Sequence, residues 1–122
     1  MNKLDTIREL LVASHLQANW NSYGAMPIDK MRILSAIGIV LDHMPDDLPQ
    51  PSVVPTPDSR IQFEWSIGEA WMEMVVDVLG VAEIDYNECV SDKCVSLRDV
   101  EPIHISDAFS WLMQQAKAEE AT

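Results

Sequence analysis

The segment Val53–Trp65 constrains the fold more than any other part of the chain. Prolines at positions 55 and 57 interrupt its first half, and polar and apolar residues alternate in its second half. Ile61, Phe63 and Trp65 fall on one face of that alternation. A period of two residues is typical of an antiparallel strand with one face in the core and the other in water. We therefore expect a sheet that is covered on one side only.

Amphipathic helix patterns lie on both sides of this strand. Two precede it, with Asn2 as the predicted N-cap of the first and Asp29 or the residues just before it as the cap of the second. The first of these helices is expected to end near Ala18 or Asn19. A last helix follows the strands, with Ser106 as its predicted cap. Runs of helices that are separate from runs of strands indicate an α+β fold. We predict a single domain of 122 residues with two N-terminal helices, an antiparallel sheet of three to five strands and a C-terminal helix packed on one sheet face.

Two turns set a predicted register for the sheet. A four-residue turn at residues 66–69 and a second turn around Gly80 bring apolar residues of three strands onto one face. The opposite face then carries acidic side chains and Trp71. The predicted apolar pairs are Trp65–Ala70, Phe63–Met72, Ile61–Met74, Val76–Ile84 and Met74–Tyr86. The acids predicted on the opposite face are Glu64, Glu73, Asp77, Glu83 and Asp85.

Acidic residues dominate the charge of the chain, because 20 Asp and Glu against 8 Lys and Arg give a net charge of −12. Such a surface repels nucleic acid, so we expect no direct DNA or RNA binding and favour a basic protein partner. Between Arg60 and Lys93 there is no Lys or Arg. Carboxylates two residues apart on a strand are separated by about 6.6–6.8 Å, comparable to phosphate spacing along a nucleic-acid strand. The alternative is a solvated face with no partner.

Trp71 falls among these carboxylates in the predicted register. Trp is enriched at the energetic centres of protein interfaces, so an exposed Trp in an acidic face indicates a contact surface. The alternative is that another element or a second subunit covers it. The predicted partner-binding residues are Glu64, Trp71, Glu73, Asp77, Glu83 and Asp85.

Catalytic and metal-binding motifs do not stand out in the sequence. The three histidines are scattered, and Cys89 and Cys94 have no second cysteine pair. Glu64 and Glu73 are candidates for acid–base chemistry, but nothing in the sequence supplies the concave, apolar setting that such a pair needs. We expect no catalytic residue, no metal site and no cofactor. We expect both thiols to be reduced, since the absence of a signal-peptide pattern and of a membrane-spanning run favours a cytoplasmic location. The alternative is a Cys89–Cys94 disulfide across a hairpin loop, which needs an oxidising compartment.

The loop before the second helix and the segment around the first strand resemble a group of short bacterial, plasmid or phage proteins. That group follows the pattern W-D-G-Y-G-A-x-P and then P-x-P-x-x-x-P-T-P-D-G-x-I-x-x-E-W. This chain departs from the pattern at Asn21-Ser22 and at Ser59, where the group has D-G and a turn Gly. The resemblance implies a shared fold and a bacterial, plasmid or phage origin, and it transfers no catalytic residue. The matching residues are Trp20-Asn21-Ser22-Tyr23-Gly24-Ala25, Pro27, Pro49-Gln50-Pro51, Val54-Pro55-Thr56-Pro57-Asp58 and Ile61-Gln62-Phe63-Glu64-Trp65.

Three functional hypotheses follow from these features. The leading one is a small acidic, non-enzymatic binding protein that inhibits or neutralises a basic protein, such as a nucleic-acid-binding one. A phage or plasmid anti-defence protein (anti-CRISPR-like) or an antitoxin fits that description. The second is a small enzyme or ligand-binding domain with a pocket near Trp20, Tyr23 and Glu64. The third is a structural homodimer without a ligand, in which Trp71 is buried. No membrane partner is expected.

Overall fold

The computed structural model describes residues 2–90 and 93–121, except for the side chains of residues 88–90 and 93. Within these residues the chain forms three helices and one five-stranded sheet, which confirms the predicted α+β fold. The strands follow one another in sequence order, and each pairs antiparallel with the next. The elements are α1 (Lys3–Ala13), α2 (Lys30–Asp42), β1 (Ser52–Pro55), β2 (Ile61–Ile67), β3 (Ala70–Asp77), β4 (Gly80–Val90), β5 (Lys93–Arg98) and α3 (Pro102–Glu120).

The first two helices begin at the predicted caps. The Asn2 side chain accepts a hydrogen bond from the Leu4 amide, and the Asp29 side chain accepts one from the Met31 amide. Each bond satisfies one of the amides that a helix leaves unpaired at its start. The end of α1 differs from the prediction, because the helix stops at Ala13. Hydrogen bonds between residues three apart follow, and they turn the chain so that Leu16 packs on the core.

The start of α3 also differs from the prediction, since the helix begins at Pro102 rather than near Ser106. Proline suits the first position of a helix because the amide it lacks would have no helical partner there. His104 adds a second signal, since its Nδ1 accepts a hydrogen bond from the Glu101 amide at 3.2 Å. Because of these two residues, the helix starts about one turn earlier in the chain than predicted.

The strand register is shifted by two residues from the prediction. The β2–β3 turn contains only Gly68 and Glu69, so Ile67 pairs with Ala70, and Trp65 pairs with Met72 instead of with Ala70. Gly68 has a φ of +59°, a conformation that favours glycine at the first position of a two-residue hairpin loop. The β3–β4 pairing carries the same shift, with Met74–Ile84 and Met72–Tyr86 as observed pairs. A shift of two leaves each side chain on its predicted face, because alternation along a strand also has a period of two.

A β-bulge in β4 interrupts the pairing of β3 with β4. Val75 pairs with Glu83 while Val76 pairs with Val81, so Ala82 is an extra residue in β4. The extra residue lets both Val81 and Ile84 point into the core although they are three residues apart. The bulge therefore sets which β4 side chains point to the other face of the sheet, beginning with Glu83.

All three helices pack on one face of the sheet. The buried residues of that face, including Phe63, Met72 and Ile84, belong to the same core cluster as those of the helices. The Trp65 and Phe109 rings meet edge to face with their centroids 5.8 Å apart, which joins β2 to α3. The Trp65 indole also donates to the Pro49 carbonyl at 2.9 Å. The opposite face of the sheet, which we call the open face, has no helix over it within the described part of the chain.

Cys94 is disulfide-bonded, which corrects the expectation of a reduced thiol at this position. The side chain of Cys89 lies outside the described residues.

None of the helices in the described part of the chain has both the length and the apolar character that crossing a bilayer requires.

Candidate partner-binding face

A row of polar side chains crosses the open face at right angles to the strands. The cross-strand partners in this row are directly opposite one another, so three carboxylates stand side by side on β2, β3 and β4. Such partners have Cβ atoms about 4.5–5.5 Å apart. Serines on β1 and β5 close the row at each end. In order, the row is Ser52, Glu64, Glu73, Asp85 and Ser96.

The middle carboxylate of this row is electrostatically stressed. Partial burial of Glu73 raises the pKa of its carboxyl above the ordinary value of 4.5, and the negative charges of Glu64 and Asp85 raise this pKa further. Gln62 supports one neighbour by donating its side-chain amide to Glu64 Oε1 at 2.6 Å. The three acids have no cation among their directly paired residues. We call Glu64, Glu73 and Asp85 the carboxylate row.

The other two predicted acids of the open face are paired with arginines. Arg32 Nε on α2 donates to Asp77 Oδ1 at 2.7 Å, and this bond is the main cause that lowers the pKa of Asp77 below its ordinary value of 3.8. Glu83 forms an ion pair with Arg98, its cross-strand partner on β5. The open face therefore has a charge-neutralised end near Asp77 and Glu83 and an uncompensated part at the carboxylate row.

Trp71 lies next to the uncompensated part. Trp71 is 37% exposed. Its amide donates to Asn87 Oδ1 at 2.9 Å, and Asn87 Nδ2 donates to the Glu69 carbonyl at 2.7 Å, so β3 and β4 are held together at this point. Beside the indole is a shallow hollow of about 220 Å³. Its lining comprises Ser52, Glu64, Trp65, Ser66, Trp71, Met72 and Glu73.

The structure thus divides the six predicted partner-binding residues into two groups. Glu64, Trp71 and Glu73 line one hollow, and Asp85 extends the carboxylate row beside it. Asp77 and Glu83 are on the same sheet but are engaged by Arg32 and Arg98. Sequence reasoning missed both arginines, because they lie outside the acidic stretch between Arg60 and Lys93. Arg98 could have been found from its place on a fifth strand, whereas Arg32 reaches the sheet from a helix and leaves no local signal.

The carboxylate spacing differs from the one predicted along a strand. Only Glu83 and Asp85 are two residues apart on one strand within this set, and Glu83 is paired with Arg98. Glu64, Glu73 and Asp85 are neighbours across strands, which are spaced about 4.7–4.9 Å apart. The row is therefore a compact cluster of charge and not an extended series with the spacing of phosphates.

The hypothesis of a pocket near Trp20, Tyr23 and Glu64 requires two residues of one loop and a residue of β2 to line one site. The Trp20 indole donates to the Met26 carbonyl at 2.8 Å, so it closes its own loop. Tyr23 is almost fully exposed. That loop is anchored at the turn preceding β2, where the Met26 amide donates to the Pro57 carbonyl at 2.9 Å. Glu64 comes four residues after Arg60, the residue just before β2. Each strand residue adds about 3.3 Å, so Glu64 lies about 13 Å from Arg60 along the strand.

Metal binding and similarity to known proteins add no assignment to this face. Among the side chains that the structure describes, no three His, Cys, Asp or Glu residues are grouped so that they could share a metal ion. A scan of known protein families, a search of curated proteins and a search of solved structures each find no match to this chain.

Proposed function

We propose that this chain is a non-enzymatic binding protein that inhibits or neutralises a basic partner protein through its open face. The observation that carries the proposal is the carboxylate row beside an exposed Trp71. Like charges directly opposite one another destabilise a sheet, and partial burial together with the charges of Glu64 and Asp85 raises the pKa of Glu73. A cationic partner surface that approaches the row would relieve this repulsion. The relief lowers the free energy of the complex relative to the free chain, so it favours binding.

The hollow at Trp71 supports a specific mode of contact. An arginine or lysine side chain that enters it would meet the indole on one side and the carboxylates of Glu64 and Glu73 on the other. Cations are attracted both to the face of an indole and to carboxylates, so these groups act together. The compact row suits a localised basic patch better than a long nucleic-acid groove. An anti-defence protein (anti-CRISPR-like) or an antitoxin would each use such a patch as its target.

The remaining two hypotheses have weaker support. A pocket enzyme would need Trp20, Tyr23 and Glu64 to converge, whereas the Trp20 indole donates within its own loop and Tyr23 is almost fully exposed. A homodimer that buries Trp71 would bring two carboxylate rows against each other, which repel at close range. A basic partner is the occupant that the charge of this face favours.

The proposal is tested by charge removal on the carboxylate row. Glu73→Gln with Asp85→Asn removes two negative charges from the row, whereas Glu9→Gln with Asp47→Asn removes two exposed charges from α1 and from the connector after α2. The tagged wild type is used to capture basic proteins from a bacterial host lysate. Association and dissociation rates of the captured protein are then measured over a range of salt concentrations for wild type and both variants.

We expect the row variant to slow association and to flatten its salt dependence, with little change in the control variant, because long-range attraction acts mainly on the association rate. Trp71→Ala should accelerate dissociation, because an aromatic anchor acts after contact is made. The row variant should also unfold at an unchanged or slightly higher denaturant concentration. Equal binding by the row variant and the wild type would exclude the row as the contact surface.

A further inference from the structure

Helix α2 is apolar on the side that faces water as well as on the side that faces the core. Its buried residues are Ile33, Ala36, Ile39 and Val40. On the outer side Met31, Leu34 and Leu41 are 56%, 60% and 54% exposed. From Ile33 to Leu41 the only polar residue is Ser35. A helix that is apolar all round is typically buried all round, so the outer side of α2 lacks a covering element within the described residues.

The β3–β4 turn extends this apolar surface. Val78 and Leu79 form the tip of the turn, and Leu79 is fully exposed. A hollow of about 410 Å³ lies between the tip and α2, and Gly38 is part of its lining. A Cβ atom at Gly38 would have no neighbour within 4 Å, so the helix backbone is open to close approach there. We call Met31, Leu34, Gly38, Leu41, Val78 and Leu79 the α2 surface.

The α2 surface supplies a large part of the apolar area that a stable dimer needs. Five large apolar side chains, each more than 40% exposed, present roughly 500 Å² together, which is the size of the largest apolar patch on a typical monomer, and such patches are often functional. A standard interface buries about 800 Å² on each partner, so these side chains would supply more than half of it. The hollow and the protruding Leu79 belong to the same surface, so two copies related by a two-fold axis would each insert a protrusion beside the other's Gly38.

We propose that the α2 surface is the contact through which two copies of this chain form a symmetric dimer, with their α2 helices antiparallel and crossing near Gly38. This contact lies on the helix-covered side of the sheet. Both open faces therefore stay accessible in the dimer, and Trp71 is not part of the contact. A dimer of this kind presents two carboxylate rows to its surroundings, so it would bind a partner that carries two basic patches with increased avidity. The dimer itself does not depend on what the open face binds.

Sedimentation of the full chain over micromolar to near-millimolar concentrations tests the dimer. We expect the wild type to pass from the 13.7 kDa monomer to twice that mass. Leu34→Glu should raise the dimer dissociation constant by more than about a hundredfold, because it places an unpaired charge in the contact of each copy. The matched control is Leu4→Glu on α1, an equally exposed leucine outside the α2 surface, which should leave the dissociation constant unchanged. Circular dichroism confirms that each variant is folded.

The proposal is overturned if the wild type remains monomeric throughout. It is equally overturned if a dimer forms that Leu34→Glu leaves intact and Trp71→Ala dissociates.

Discussion

The two faces of the sheet are built from the same strands yet are stabilised in different ways. On the covered face Phe63, Met74 and Ile84 are fully buried and contact side chains from the helices. On the open face the neighbouring positions carry Glu64, Glu73 and Asp85 side by side. The covered face gains stability from burial of apolar area, while the carboxylate row loses some through repulsion. The two faces of the sheet therefore contribute with opposite sign to the stability of the isolated chain.

The open face repeats this contrast on a smaller scale. At one end Asp77 and Glu83 are neutralised by Arg32 and Arg98, whereas Glu73 has acids as its neighbours on both sides. The chain therefore has cations available for the sheet and places these two only at that end. Substitutions on the covered face, at the neutralised end and in the carboxylate row should give effects of decreasing size and, in the last case, of opposite sign.

The covered face should show the largest effect. Phe63→Ala removes a fully buried ring that lies 6.0 Å from the Trp65 ring, and we expect the free energy of unfolding to fall by about 3–5 kcal/mol. Ser66→Ala on the open face of the same strand is the matched control and should change it by less than about 0.5 kcal/mol. Chemical denaturation measures both. Equal effects from the two variants would mean that the two faces of β2 are not energetically different.

In β2 and β3 the assignment of side chains to faces could be predicted from the sequence, because it depends on whether a residue is odd or even along a strand. The bulge at Ala82 breaks this rule in β4, where Val81 and Ile84 both point into the core. The exact pairing of the strands could not be predicted. A two-residue turn at Gly68 and a four-residue turn at residues 66–69 place the same side chains on the same faces, so the apolar pattern does not distinguish them. The choice depends on the positive φ of Gly68, a backbone property that the hydrophobic pattern does not carry.

The residues of the candidate site could be predicted from the sequence. Which of their charges are neutralised could be predicted only in part. Glu64, Trp71 and Glu73 could be assigned to one face from strand alternation alone, and they do share a hollow there. The neutralisation of Asp77 could not be foreseen, because Arg32 is 45 residues away in sequence and reaches it only after α2 packs against the sheet. Charge counting along a segment therefore overestimates the uncompensated charge on a face wherever a helix or an edge strand contributes cations.

The neutralised end should show an intermediate effect. A double-mutant cycle with Arg32→Met and Asp77→Asn should give a coupling energy of about 0.5–1 kcal/mol, since the two side chains are 24% and 37% exposed and solvent weakens the attraction. The Arg32 hydrogen bond lowers the pKa of Asp77 below 3.8. The coupling should therefore be fully present above about pH 3.8 and be lost as the pH falls through the lower pKa of the folded chain.

The Glu83–Arg98 pair supplies the comparison for that cycle. Arg98 is on β5, an edge strand of the sheet, and its side chain is more exposed than that of Arg32. A cycle with Glu83→Gln and Arg98→Met should therefore give a smaller coupling energy. Urea denaturation at neutral pH and at acid pH measures both cycles. A coupling for Arg32 and Asp77 that does not decline on acidification would show that packing rather than charge joins the two residues.

The carboxylate row should show the smallest effect and the only gain in stability. The pKa of Glu73 is raised above 4.5, so the folded chain holds this proton more tightly than the unfolded chain does, and wild-type stability falls as the pH rises through the raised pKa. Glu73→Gln removes that loss. We expect its free energy of unfolding to exceed that of the wild type by about 0.2–0.5 kcal/mol at neutral pH. The gain should shrink as the pH falls through the raised pKa of Glu73, be absent below about pH 4.5, and be smaller in high salt. Glu9→Gln on α1 should show no such gain. A loss of stability in Glu73→Gln at neutral pH would instead mean that the carboxylate accepts stabilising hydrogen bonds within the chain, and the contrast between the two ends of the open face would disappear.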